Sequence, residues 1–180
     1  PGADVRMSEE KIESFRNFVN KIWNASRFVL MNLEGFTPEG VPNADELELC
    51  DKWILTKFQE TAREITDDLE KFELGLAATK LYDFMWSNFC DWYIELAKQE
   101  VLYYVLLGTL KLLHPYIPFV TEEVYSYLPG VEGMLITARW PEVRPEYDFP
   151  AEATRMEGVM EVIRTVRNLR AEMRVAPGRR

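Results

Sequence analysis

Apolar residues recur every three or four positions along nearly all of this 180-residue chain, and that period admits helices and little else. Ile12, Phe15, Val19, Ile22, Ser26, Val29 and Leu33 form one such stripe and predict a helix over roughly 8–33. Ser8 is placed to cap it, and Glu9 and Glu10 suit the positive end of its dipole. Gly35 stops it, and "EGFTPEGVPN" reads as loop. Asn43 and Glu46 then have the spacing of a capping box. Leu47, Cys50, Ile54, Phe58, Ala62, Ile65, Leu69 and Phe72 predict a second long helix. A third stripe runs through Leu74, Ala78, Leu81, Met85, Asn88 and Trp92, with the boundary between the two placed near 71–74.

A fourth helix starts near 100 and enters "LLHPYIPF", where Pro115 and Pro118 lack N–H groups and break it before a restart over 119–128. "LPGVEGMLITARWPEVRPEYDFP" predicts an extended connector, with "MLITARW" as a short edge strand. The last helix, over about 151–173, would turn Met156, Val159, Ile163, Val166 and Leu169 or Arg170 inward. The expected fold is all-α: a bundle of four to five long helices with a short extended connector before the last. Residues 1–150 form the bundle, and 151–180 its basic C-terminal helix, cut at the chain end. "PGADVR" without an initiator Met, and "RVAPGRR" with nothing after it, suggest a domain excised from a longer protein.

Composition narrows the function. With 47% hydrophobic residues the chain can build a core. Its longest apolar run, "VLYYVLLGTL", is too short to span a bilayer, and no basic-then-apolar leader opens it, so a cytoplasmic protein without a membrane partner is expected. Cys50 and Cys90 lack metal-ligand spacing and read as buried thiols. The single histidine, His114, precedes Pro115 at a helix break and reads as structural rather than as a general base. No P-loop, GxGxxG, HExxH or nucleophile elbow is present, and the expectation is a chain that catalyses nothing alone.

A net charge of −9 argues against nucleic acid until its distribution is read. Residues 39–73 carry eleven acids against four bases, whereas 14–33 carry Arg16, Lys21 and Arg27 with no acid. Residues 151–180 carry seven arginines against four glutamates. Two helices of an acidic body are locally basic.

The first of these has a wet face. At 100° per residue, Asn17, Lys21, Asn24 and Phe28 fall within about 60° of one another, opposite the apolar stripe. Asn20, Arg16 and Arg27 flank them. Phe28 there is either a stray surface residue, a ring covered by another helix, or a platform for an unstacked base. In the last case Lys21 and the arginines neutralise phosphate and the amides bond base edges, a set suited to single-stranded RNA. In "SNFCDWYIELAK", Trp92 continues the core stripe with Asn88 one turn earlier as a partner for its indole N–H, while Ile94 and Glu95 lie off it; a glutamate can accept from an exocyclic amine.

Four blocks, "SFRNFVNKIWNASRFVLMN", "FMWSNFCDWYIELAK", "LKLLHPYIPFVTEEVY" and "VIRTVRNLRAEM", resemble in order the anticodon-binding domain of bacterial valyl-tRNA synthetases. The proline-broken block is shared by the wider class I group for Val, Ile and Leu; "NKIWNASRF" and "FCDWYIE" are closer to the valine enzyme. The resemblance implies a helical bundle that follows a catalytic core and an editing domain, its partners in the parent, and that grips the valine anticodon loop of tRNA as a monomer. The parent would join valine to its tRNA with ATP and Mg²⁺; the HIGH and KMSKS signatures are absent from this sequence, so no cofactor is expected here. By block matching, the family's anticodon contacts fall on Lys21, Phe28, Ile94 and Glu95. A further family arginine aligns with Glu10, and Lys11 beside it is the substitute. The rival readings are the isoleucyl or leucyl homologue, and a structural or protein-interaction bundle using its acidic second helix.

Overall fold

The computed structural model describes residues 8–95 and 98–174; the side chains of Lys11 and Glu95, both named above, lie outside the described residues. Six α-helices run in order: α1 (Glu9–Asn32), α2 (Leu49–Glu70), α3 (Leu74–Asp83), α4 (Gln99–Leu113), α5 (Pro118–Ser126) and α6 (Pro150–Glu172). Four are long, at 24, 22, 15 and 23 residues. The fold is an all-α bundle.

α2 is its axis, packed against α3, α4 and α6. A helix between three neighbours must be apolar on more than one side, and Trp53, Ile54, Leu55, Phe58, Ala62 and Ile65 are all buried. Its start corrects the expected capping box. Asn43 caps only a short 3₁₀ turn, Ala44–Glu46, whereas the Glu48 N–H donates to the Asp51 carboxylate at 3.0 Å and α2 begins at Leu49. Asp51 is wholly buried because its other oxygen accepts from the Tyr93 hydroxyl at 2.8 Å. Between α2 and α3 the chain turns where expected, with Phe72 in the left-handed region at φ 60° and its ring in solvent.

α3 passes directly into a π-helical stretch, Phe84–Cys90. Widening the turn shifts the inward register. The buried set is Ala77, Leu81, Phe84, Met85, Phe89 and Tyr93, while Leu74, expected inside, is exposed and Trp92 is half-buried. α4 and α5 break at the prolines as anticipated, with Pro118 opening α5. At the break His114 bonds Thr121 through Nδ1, at 2.9 Å.

The expected edge strand does not form; no strand occurs among the described residues. Glu122 accepts from the N–H groups of Leu135 and Ile136 at 2.8 and 3.3 Å, so a carboxylate satisfies donors that a strand would have given to a neighbour. The rest of the connector is tied to α2: Arg144 N–H to Gln59 at 2.7 Å and Phe149 N–H to Thr56 at 2.9 Å. Tyr147 is buried below it, donating to the Pro42 carbonyl at 2.6 Å.

Both outer helices depart from their predicted stripes. On α6 the residues that pack are Ala153, Met156 and Met160, with Ile163 half-buried; Val159, Val166 and Leu169 face solvent. The sequence offers two apolar stripes on this helix, and α2 covers the one that starts at Ala153. On α1, Ile22, Ser26, Val29 and Leu33 are buried as expected, but Ile12 and Phe15 are exposed because the first turns overhang the bundle. No described helix is long and apolar enough to cross a membrane.

Candidate nucleic-acid interface

The outer face of α1 is built around Lys21. Its ammonium lies 3.3 Å from the centroid of the Trp86 ring and 3.0 Å from the Asp91 carboxylate. Trp86 in turn stacks on Tyr82, with centroids 5.6 Å apart and planes 10° apart, and Tyr82 meets Phe18 at 4.5 Å. A cation over an aromatic face with a carboxylate beside it is held in one place. The long lysine side chain therefore has less rotamer freedom left to lose when an anion arrives.

Seven residues on, two turns along the same face, Phe28 is 43% exposed. That exposure sets aside full cover of the ring by another helix, one of the alternatives the sequence left open. Asn24 and Arg27, within its own turn, are exposed, as is Asn17 three turns earlier. The last turn is closed by Asn32, whose amide donates to the Phe28 carbonyl at 2.8 Å, leaving the ring itself unengaged in that contact.

The second predicted contact region is brought to this face by pairings far apart in sequence. Asp91 reaches Lys21 across 70 positions, and Tyr93 is pinned to Asp51. Between these anchors and the chain beyond lies the 3₁₀ turn Tyr93–Glu95, with Ile94 half-buried. Burial and the nearby Asp51 charge hold the Tyr93 hydroxyl far above its ordinary pKa, so this anchor stays a donor. Burial also pushes the Cys90 thiol up to about 11, with the Lys21 charge only partly opposing it. Neither Cys50 nor Cys90 is in a disulfide among the described residues, and both are half-buried.

Four residues at this surface were missed. Trp86 and Asp91 hold Lys21, and Arg164 and Arg167 from α6 each lie 5.3 Å from the centroid of Trp92. The aromatic pair Tyr82 and Trp86, one turn apart, was a legible signal for the first. The basic balance of α6 was one for the last. The Trp92 contacts the structure shows are these two arginines over its ring rather than the expected bond to Asn88. The arrangement offers an exposed ring, a fixed ammonium, exposed amides and two guanidiniums, which together can stack a base and neutralise phosphate.

The family model described as the anticodon-binding domain of tRNA ligase matches residues 51–180. The valine–tRNA ligase of Carboxydothermus hydrogenoformans is 48% identical over 193 residues, covering 100% of this chain and 22% of that protein. That of Geobacter sulfurreducens is 49% identical, covering 99% and 22%, and that of Clostridium tetani 45%, covering 100% and 22%. The chain thus spans about a fifth of the length of these relatives. Among solved structures, the ternary complex of Agrobacterium radiobacter K84 agnB2 LeuRS with tRNA and LeuAMS superposes with a TM-score of 0.68, covering 81% of this chain and 18% of that one. At 17% identity this likeness shows the fold alone.

Proposed function

This chain belongs to the anticodon-binding domains of tRNA ligases, in the valyl-tRNA synthetase branch, and on that premise we propose that the outer face of α1 and the 91–95 turn read the valine anticodon loop. Phe28 stacks on one anticodon base. Lys21, preset by Trp86 and Asp91, neutralises the adjoining phosphate, and Asn17, Asn24 and Arg27 meet base edges or backbone. Ile94 packs against a neighbouring base, and Glu95 accepts from an exocyclic amine; Lys11 supplies an outlying cation. The observation that carries this reading is Phe28, a ring left open to solvent on the same face as a deliberately immobilised cation.

The work of the parent, joining valine to its tRNA with ATP and Mg²⁺, belongs in this reading to the length of the relatives that this chain does not cover. The domain then acts as a monomer in the cytoplasm beside the catalytic and editing domains, and the anticodon loop is its contribution to substrate choice.

The test is a fluorescence titration of the chain with a labelled valine anticodon stem-loop and with a loop whose middle A is changed, each at two salt concentrations. The reading expects the changed loop to bind about tenfold more weakly, the scale of one lost base contact. Equal binding to the two loops would leave a phosphate grip without anticodon reading, and binding of basic proteins in place of RNA would favour the interaction bundle.

A further inference from the structure

α6 carries its arginines to the anticodon face. Arg164 and Arg167, one turn apart, both stack against Trp92, at 5.3 Å each. Trp92 directly follows Asp91, which is bonded to Lys21. A continuous chain of contacts therefore runs from Trp86 through Lys21, Asp91 and Trp92 to the two guanidiniums, joining a basic stretch of α1 to a basic stretch of α6. Both arginines are exposed. Arg164 has Glu161 at 3.7 Å, a pair in which both partners are solvated and which competes weakly. Arg167 makes no ion pair among the described residues. The carboxylates facing this cluster are Asp91, which Lys21 already engages, and Glu161.

These guanidiniums pack on Trp92 while their side chains stay exposed to solvent. The buried seat of α6 on the bundle is Ala153, Met156 and Met160, with Ile163 half-buried, and no described residue further along the helix is buried. There a tryptophan steers two guanidiniums, whose forked donors suit phosphate oxygens.

We propose that Arg164 and Arg167, oriented by Trp92, form a second phosphate-binding site for the RNA loop, gripping the backbone on the side of the 91–95 turn away from Phe28. This rests on the anticodon reading above and extends it. α1 reads bases, and α6 holds the strand in register without reading them.

The decisive experiment measures stem-loop binding across a salt series for the wild-type chain, for Arg164→Gln/Arg167→Gln, and for Arg164→Lys/Arg167→Lys, with melting temperatures taken in parallel. Each single-strand phosphate contact contributes about 0.7 to the slope of log K against log salt. The glutamine pair is expected to lower that slope by about 1.4, to weaken the cognate and middle-base-changed loops by the same factor, and to leave the melting temperature unchanged. The lysine pair is expected to retain most of the slope. An unchanged slope in the glutamine pair would overturn the site. A loss confined to the cognate loop would make these arginines base readers and overturn it equally, as would a lysine pair that loses the slope in full. Failure of the wild-type chain to bind either loop at low salt would sink the anticodon reading itself, and this site with it.

Discussion

The polar residues around α2 and those on the outer face of α1 handle the same chemistry in opposite ways. Inside, most polar groups end on a partner: Asp51 on Tyr93 and the Glu48 N–H, Gln59 on Arg144 N–H, and Tyr147 on the Pro42 carbonyl, while the Trp53 indole N–H and the Ser26 hydroxyl have none among the described residues. Outside, Lys21 is fixed with 24% of its side chain still exposed, and Phe28, Arg164 and Arg167 are left open. A buried polar group left unsatisfied is costly, so such groups are few among the described residues. A surface that keeps an aromatic ring and cations available, while restraining them, has capacity left over for a ligand. The comparison teaches that restraint and closure are separable: α1 holds its cation between Trp86 and Asp91 while Phe28 further along stays exposed.

That contrast can be broken at either end. The largest effect belongs inside. Phe58 is buried against Phe84 and Tyr104, and its ring approaches Gly108 so closely that an added Cβ there would sit 2.2 Å from it. Phe58→Ala should cost about 3–5 kcal/mol in urea unfolding, and Gly108→Ala about 1–3 kcal/mol by overpacking. Neither should alter RNA affinity under conditions where the chain is folded.

Tyr93→Phe comes next. It strands part of the buried Asp51 carboxylate and should cost about 1–3 kcal/mol. Because Tyr93 also anchors the 91–95 turn, RNA affinity should fall as well, which sharpens the division between the regions at the one residue that touches both.

The interior also has a pH signature. Burial, followed by the Tyr104 charge, pushes the Tyr147 hydroxyl from an ordinary value of 10.0 up to about 12. The unfolded chain loses that proton first, so stability is whole below pH 10 and declines as pH rises toward 12. Tyr147→Phe should lessen that alkaline decline, read as urea midpoint against pH, with the buried Tyr93 supplying part of what remains.

How much of this was legible in the sequence divides along the same line. Local rules located α1, the turn at Phe72, the break at Pro115 and Pro118, and the start of α6. The helical wheel also put Phe28 outside, where it is. What failed needed knowledge of neighbours. The π-helical stretch after Asp83 moved the later part of the third stripe from Asn88 and Trp92 to Phe89 and Tyr93 by changing residues per turn, and nothing in "FMWSNFC" announces it. On α6, two apolar stripes compete, and only the position of α2 chooses between them. "MLITARW" has strand composition but no strand to pair with, and Glu122 takes its donors instead. The site was half legible for the same reason. Lys21 could be placed on a face, but its restraint by Asp91, 70 positions away, could not.

Smaller effects probe the rim. Lys21→Gln should change stability by less than about 1 kcal/mol, since its ion pair is partly solvated, while lowering the salt slope of RNA binding by about 0.7. Glu13→Gln, which removes an exposed pair with Arg16, should shift stability by no more than about 0.5 kcal/mol and leave binding unchanged.

The most direct measurement is Phe28→Ala, read simultaneously as melting temperature and as affinity for the valine anticodon stem-loop. An outward ring that stacks a base predicts a binding loss of about 1–3 kcal/mol with the melting temperature unmoved. A lowered melting temperature with undiminished affinity would contradict the account, because it would make Phe28 part of the packing and leave the fixed cation beside it without a base to serve.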